Sequence, residues 1–555
     1  MFVVVTLPPL PNPFYYLDNF RHVLGWIAER YEDLLDAQER AFIEGFQALP
    51  QATQALLVRM VMRKGALFRE SRLAYPEIGD TWAAVQPLLT LQWVDPEPAL
   101  ALDALFGVLR KDELHACLRE HGLRTGERKA DWLARLSPLL SEPRLLGEWH
   151  AQLQDRVYAL RVMPLCDRLR LLYFGNLSQE WSEFVLADLG IYRYETVAFS
   201  SGSRGIASRA DIDTCLVLHE CRQLLEQAPP LAELGARVMA IHSDNPWLAL
   251  RRGKLLYQIG QQAERQQDWS LALALYGQSG YPGARLRRIR VLERCGAWAN
   301  ALALLQEAEQ APEDDAERQQ LPRIAPRLQR KLGLRALPKR RPPAAQRIDV
   351  CLTPLPGFSV EHLTLLHLSE EGGEVHYVEN ALVNSLFGLL CWPAIFAPLP
   401  GAFFHPFHSA PVDLHSPDFH SRRAPLFESC LAALDDGSYS SVIRQRFAEK
   451  HGLQSPFVFW GALNDTLLDM ALQCLPAVHL KHWFQRLLQN IKANRTGMPD
   501  LIQFYPAERR YRMIEVKGPG DRLQDNQLRW LAFCAEHGMP VEVCYVSWAP
   551  EAVVE

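Results

Sequence analysis

Two carboxylates and a lysine near the C-terminus have the types and spacing of a metal-dependent hydrolase. Asp500 is followed, after fourteen intervening residues, by Glu515, and Lys517 comes two positions later. A hairpin here would bring Asp500 beside Glu515, with Lys517 on the face of Glu515, because side chains two apart share a strand face. Carboxylate oxygens, joined by the carbonyl of Val516, suit Mg²⁺ or Mn²⁺, and the lysine could act on a polarised water. The pattern predicts phosphodiester hydrolysis, although a hairpin with solvent-facing charges fits the spacing equally well.

The surrounding pattern predicts the elements that would hold these side chains. Alternating apolar residues predict strands at 501–505 and 511–516, joined by PAERR. An amphipathic pattern predicts a helix over 524–537, ended by Gly538, and a further strand follows at 541–546. The order is therefore hairpin, helix, strand, within an α/β domain that we place at 350–555.

Most of the preceding chain has helical periodicity. We predict a helical domain at 1–95, a two-helix hairpin at 96–144 and a helical scaffold at 145–322. In the scaffold, DWSLALALY and AWANALALL repeat with an offset of 29 residues, which favours tetratricopeptide-like helix pairs. Two copies fit an irregular helical scaffold as well. The predicted fold is thus multidomain and mostly α, with a C-terminal α/β domain.

Basic residues form two local groups. The hairpin turn carries Arg124, Arg128 and Lys129, and the unit resembles a SAP-type DNA-binding hairpin, although a plain helical hairpin is the alternative. A proline-rich linker at 323–349 follows the scaffold, and Arg323 to Arg347 holds nine Arg or Lys and no acid. It is either a strip that follows phosphates or a solvated tether. Its densest part is Lys339, Arg340 and Arg341.

The motifs PD and ExK on consecutive strands, with EVKGPGDRL and the downstream Gln527, resemble the PD-(D/E)xK nucleases of the virus-type replication-repair branch. The domain order over nearly the whole chain is similar to that of the Fanconi-associated nuclease family. The resemblance implies a metal-dependent, structure-selective DNA endonuclease and 5′ exonuclease that acts on 5′ flaps or branched DNA and on interstrand crosslinks.

The resemblance also implies site residues. It nominates Glu379, in YVENALVNSLF, as a further metal ligand at a helix start, where a lone glutamate is otherwise more often a favourable charge on the helix dipole. It places Arg522, in GPGDRL, on a phosphate of the substrate. A non-catalytic scaffold with a degenerate nuclease domain is the main alternative, and the intact Asp, Glu and Lys argue against it. An RNA nuclease or a restriction-type enzyme is a further one.

Composition excludes several other classes. Lys and Arg number 59 against 64 Asp and Glu, a net charge of −5, so DNA affinity has to come from local patches. The 11 cysteines include no CxxC pair, and no apolar run nears bilayer length, which favours a reduced cytoplasmic protein, nucleoid-associated if bacterial. No GxxxxGK[ST] occurs, which argues against a P-loop ATPase. The spacings of His405, His408, His415 and His420 fit no common zinc signature.

Overall fold

The computed structural model describes residues 12–124, 126–181, 192–335, 345–370 and 373–549. The chain forms two compact units, Met1–Tyr192 with Ile206–Ile212, and Arg193–Gly205 with Asp213–Glu555. Helix Arg209–Glu226 runs from the first unit into the second. No helix within these described ranges is long and apolar enough to cross a membrane. The predicted fold class, mostly α with a C-terminal α/β domain, is confirmed.

The first unit is helical but also contains a small sheet. Strands β1 (Leu67–Arg69) and β2 (Val94–Asp95) pair antiparallel with β3 (Val157–Leu160), in the order β1-β3-β2. Strands this short leave no alternating pattern in the sequence, so the sequence predicts only helices here. Since β3 belongs to this unit, the unit extends past residue 144, where the sequence suggested a boundary. Its helices are Tyr15–Arg30, Ala37–Ala48, Gln51–Val61, Thr81–Thr90, Leu102–Val108, Lys111–Cys117, Lys129–Leu136, Leu146–Trp149 and Met163–Phe174.

The helical hairpin of this unit has its own core. Helices Lys111–Cys117 and Lys129–Leu136 are joined through Gly122, whose φ of 65° is left-handed. Trp132 and Leu136 are buried in a cluster with residues from helix Leu102–Val108. The predicted helical hairpin is present, and the basic residues Arg124 and Arg128 between its helices are exposed.

The second unit begins with helices that pack in sequence, each against the next. Trp269 and Trp298 both start a helix, so the internal echo marks equivalent positions. The prediction that the linker begins at residue 323 is wrong, because helix Asp315–Lys331 continues through Lys331 despite two internal prolines. Burial of its apolar face, at Leu321, Ile324 and Leu328, outweighs the cost of those prolines. The helices of this part are Leu231–Met239, Pro246–Arg265, Trp269–Gln278, Ala284–Arg294, Trp298–Gln310 and Asp315–Lys331.

A mixed five-stranded sheet organises the C-terminal domain. Its strands are β4 (Gln346–Leu352), β5 (Glu374–Tyr377), β6 (Leu501–Tyr505), β7 (Arg510–Lys517) and β8 (Val541–Trp548). The order is β4-β8-β7-β6-β5, with β6 antiparallel to both neighbours and β8 parallel to both of its own. Helix Asp525–Glu536 makes the crossover from β7 to β8, so the predicted hairpin, helix and strand are confirmed. The remaining helices are Val360–Glu370, Leu382–Leu390, Trp392–Ile395, Ala424–Asp436, Tyr439–Lys450, Asp465–Cys474, Ala477–Gln489 and Ile491–Asn494.

Candidate active site

The β6–β7 hairpin brings the two predicted carboxylates together. The last paired residues are Leu501 and Ile514, so Asp500 and Glu515 follow at the next position of the antiparallel ladder. The backbone N–H of Val516 donates to Asp500 Oδ2 at 2.8 Å. Asp500 and Lys517 are each 8% exposed and Glu515 is fully buried. Charges on a solvent-facing hairpin would be exposed, so this burial excludes that alternative.

Glu515 is held through one oxygen only. Its Oε1 accepts from Gln527 Nε2 at 2.6 Å and pairs with Lys517 Nζ at 2.7 Å. Its Oε2 is buried and has no hydrogen-bond partner among the described residues. A buried carboxylate oxygen without a partner is costly, since desolvation is not compensated. This oxygen is therefore a strong candidate for a ligand atom.

The pKa shifts of Asp500 and Glu515 also favour a cation at this site. Burial raises the pKa of Asp500, and the charges of Glu379 and Glu361 raise it further, against the Val516 N–H and Lys517. Burial and then the charge of Asp500 raise the pKa of Glu515, while Lys517 lowers it. Two ionised carboxylates at this site repel each other, and a cation between them would favour both charged forms.

Glu379 lies near this pair but is reached from a different strand. It follows β5 in a turn, and the next helix, Leu382–Leu390, begins after it, so Glu379 precedes the helix rather than opening it as predicted. Its side chain is exposed. It accepts hydrogen bonds from the Tyr377 hydroxyl and, at 3.2 Å, from Asn380 Nδ2. Its charge acts on both Asp500 and Glu515.

The donor set fits a hard divalent cation. It consists of carboxylate oxygens, including the partnerless Oε2 of Glu515. The further predicted donor, the carbonyl of Val516, belongs to the residue that follows Glu515. In the described part of the chain, no three His, Cys, Asp or Glu side chains are close enough to hold one ion as they stand. Asp500 and Glu515 thus form the preorganised part of the site, and Glu379 lies beside it on the neighbouring turn.

The histidine-rich segment forms no zinc site within the described residues. His405 and His408 stack with ring centroids 3.9 Å apart; His405 is buried and His408 is half-buried. Burial lowers the pKa of His408 to about 4. Both rings are therefore neutral at neutral pH, because burial lowers the pKa of each.

The predicted DNA-binding residues have different environments. Arg522 and Arg124 are exposed. Arg128 is paired with Asp131 at 3.0 Å, and Lys129 Nζ donates to the carbonyl of Leu109 at 2.7 Å. Of the basic strip, Arg323 forms an ion pair with Asp525 at 2.7 Å and so links the helical part of its unit to the C-terminal domain. Lys339, Arg340 and Arg341 lie outside the described residues.

The sequence predicts no contact for three side chains that hydrogen-bond Glu515 or Glu379. Gln527 was noted only as part of a resemblance, and it holds Glu515. Tyr377 and Asn380 hold Glu379. The sequence offered one signal for this turn: Glu379 is followed by Asn380, and asparagine tolerates the left-handed conformation of a tight turn better than most residues.

Three family models match the chain. They are "VRR-NUC domain" over residues 434–548, "FAN1, HTH domain" over 14–95 and "Fanconi anemia-associated nuclease SAP domain" over 99–149. The last confirms the SAP-type resemblance of the helical hairpin. The first covers the PD and ExK strands and confirms the nuclease branch that those motifs indicate.

Relatives extend this similarity to the whole chain. A Fanconi-associated nuclease 1 homolog of Pseudomonas aeruginosa is 62% identical over 545 residues, covering 98% of each chain. The human Fanconi-associated nuclease 1 is 32% identical over 197 residues, which are 34% of this chain and 19% of that protein. The crystal structure of paFAN1 bound to 2-nucleotide 5′ flap DNA with a gap is 62% identical and superimposes with a TM-score of 0.92, covering 98% of this chain and 100% of that one. The protein is a divalent-metal-dependent nuclease, and it belongs to the Fanconi-associated nuclease 1 family.

Proposed function

We propose that the protein is a structure-selective DNA endonuclease with 5′ exonuclease activity. Its preferred substrates are 5′ flaps or branched duplexes, and it acts in DNA repair, including the processing of interstrand crosslinks. The observation that carries the proposed site is the geometry of Glu515, with Oε1 fixed and Oε2 buried and partnerless. As a protein that acts on chromosomal DNA, it would work in the cytoplasm, at the nucleoid in a bacterium.

Asp500, Glu515, Glu379 and the carbonyl of Val516 would hold Mg²⁺ or Mn²⁺. When bound, the cation supplies a Lewis acid that neutralises charge growing on the phosphate and lowers the pKa of water. The protein contributes preorganisation: Gln527 fixes the orientation of Glu515, and the Val516 N–H holds Asp500 through Oδ2. Such supporting contacts set both the position and the affinity of a metal ligand.

Lys517 is the residue that acts on the reacting groups. Its ammonium is 2.7 Å from Glu515 Oε1 and is mostly buried, so its position is fixed before the substrate arrives. A fixed cation here can orient the attacking water and stabilise negative charge on the phosphate in the transition state. The Lys517 side chain needs no movement to reach the site, because it lies on the same strand face as Glu515.

Selectivity for flaps is supported by the solved relatives. The structures that superimpose with TM-scores of 0.92 and 0.90 hold 5′ flap DNA with a gap, and their chains are 62% identical to this one. A flap or nick bends easily, whereas bending continuous duplex sharply costs several kcal/mol. A helical scaffold that holds duplex at an angle would therefore select junctions by their deformability.

The test is a comparison of one sequence as 5′ flap, 3′ flap, nicked and intact duplex. We expect Mg²⁺- or Mn²⁺-dependent cleavage, fastest on the 5′ flap. Faster cleavage of intact duplex would contradict selection by bending, and a preference for the 3′ flap would contradict the proposed polarity. An equivalent RNA flap cleaved at the same rate would contradict the assignment of DNA as the substrate.

A further inference from the structure

The turn between β5 and helix Leu382–Leu390 contains a residue with an unusual backbone. Asn380 has a φ of 53°, in the left-handed region that non-glycine residues rarely adopt. Such a conformation is retained where the surrounding contacts determine it, and it is concentrated at functional sites. The contacts of Asn380 show what determines it here.

Every polar group of this side chain has a partner. The backbone N–H of Met498 donates to Asn380 Oδ1 at 3.1 Å, and Asn380 Nδ2 donates to Glu379 Oε1 at 3.2 Å. Because a backbone N–H can only donate, the atom facing Met498 has to be the amide oxygen, which leaves the NH₂ group facing Glu379. The carbonyl of Asn380 accepts from Asn384 Nδ2 at 2.6 Å.

These bonds connect Glu379 to the segment that carries Asp500. Met498 lies two residues before Asp500, and the N–H of Val378 donates to the Asp500 carbonyl at 2.9 Å. The turn is therefore tied to the Met498–Asp500 segment on both sides of Glu379. The other oxygen of Glu379, Oε2, accepts from the hydroxyl of Tyr377.

We propose that Tyr377 and Asn380 are positioning residues that hold the two oxygens of Glu379 and set its placement relative to Asp500. Without them Glu379 is an exposed side chain with full rotamer freedom, whose ordering would cost free energy whenever a cation binds. The hydrogen bonds from Tyr377 and Asn380 order the Glu379 side chain before a cation binds. This inference rests on the proposed role of Glu379 as a metal ligand.

Two variants of the full-length protein test it. Tyr377→Phe removes one donor without touching the backbone. Asn380→Gly removes the other, and glycine adopts the left-handed conformation without cost. Arg509→Gly is the matched control, because Arg509 also has a positive φ, of 50°, and lies in the β6–β7 turn without contact to Glu379.

The readout is Mn²⁺ binding in the absence of DNA, followed by electron paramagnetic resonance of the free ion. Positioning contacts around metal ligands are typically worth about 10- to 100-fold in affinity, so we expect Tyr377→Phe and Asn380→Gly each to weaken Mn²⁺ binding by about tenfold or more. Arg509→Gly should bind as the unaltered protein does. On a 5′ flap, raised Mn²⁺ should restore most of the cleavage rate of both variants, because Lys517 and the Asp500–Glu515 pair are unchanged in them.

Glu379→Gln separates the two ways in which the inference can fail. If Glu379→Gln leaves Mn²⁺ affinity unchanged, Glu379 is not a ligand and the proposed site itself is wrong there. If Glu379→Gln weakens binding but neither Tyr377→Phe nor Asn380→Gly does, the ligand assignment stands and the positioning role is refuted. Melting curves of each variant show that the comparison is made on folded protein, and Tyr377→Phe keeps the test open if Asn380→Gly does not fold.

Discussion

A group of unpaired basic residues in the helical part of the second unit should contribute to DNA affinity. Arg294, Arg330 and Lys331 surround a cavity of about 610 Å³, and none has a carboxylate partner among the described residues. Two nearby arginines differ: Arg327 is paired with Glu293 at 3.0 Å, and Arg323 is paired with Asp525. Only side-chain cations that are not already neutralised by a carboxylate displace counterions from DNA. We therefore expect Arg294, Arg330 and Lys331 to contribute to DNA affinity.

The expected magnitude follows from counterion release. Each phosphate contact contributes about 0.9 to the slope of log affinity against log salt, so replacing Arg294, Arg330 and Lys331 together with glutamine should reduce the slope by about 2.7. Between 50 and 200 mM salt, the unaltered protein should then lose about 40-fold more affinity than the triple variant, by the same relation. The two should converge at high salt.

The assay is fluorescence anisotropy with a labelled 5′ flap in Ca²⁺, at several KCl concentrations. A control triple variant replaces Lys64, Arg265 and Arg509, which are exposed basic residues elsewhere on the chain. An unchanged slope for the Arg294, Arg330 and Lys331 variant would refute the reasoning and leave these side chains as cations that stabilise helix C-termini. An equal change in the control would show that net charge alone is responsible.

Three further predictions concern the C-terminal domain. Asp500→Ala or Glu515→Ala should abolish cleavage in Mg²⁺ while flap binding in Ca²⁺ survives, and a variant that retains the original rate would misplace the site. Lys517→Ala should slow single-turnover cleavage by orders of magnitude with Mn²⁺ affinity nearly kept, whereas full recovery at high Mg²⁺ would make the lysine structural. Burial lowers the pKa of His408 from 6.5 to about 4, so the unfolded state binds the proton more tightly than the folded state. This residue therefore costs no stability above pH 6.5, and the free energy of unfolding should fall by up to about 3 kcal/mol as the pH drops from 6.5 through 4. Urea unfolding from pH 7 to 4 should show a shallower pH dependence for His408→Leu, and an identical dependence would rule out His408 as a cause.

The hairpin was predictable because its signals are local. The strands expected at 501–505 and 511–516 are observed as Leu501–Tyr505 and Arg510–Lys517, since alternating apolar residues and a short turn fix both pairing and register. Register in turn places Asp500 opposite Glu515. The proximity of Asp500 and Glu515 could therefore be inferred before any tertiary contact was known.

The support around Glu379 could not be predicted, because it depends on pairing over more than a hundred residues. Tyr377 pairs with Leu501 across β5 and β6, and only this pairing brings Asn380 to Met498. The linker prediction failed for a related reason. Prolines and basic residues after Arg323 argue locally against helix, yet tertiary burial of one face keeps helix Asp315–Lys331 continuous.

Cleavage and substrate selection should depend on different parts of the protein. In the proposed site, Asp500, Glu515 and Lys517 would act on a phosphate and a water, which every DNA strand supplies. These residues would therefore give the reaction no preference for a strand end or a junction. A preference has to come from surfaces that hold the duplex on either side of the cleaved bond. Rigid duplex resists sharp bending and a junction does not, so a scaffold that imposes an angle converts that difference in stiffness into a difference in rate. Changes to the helical units should therefore alter which substrate is cut, whereas changes to the carboxylates should alter only whether it is cut.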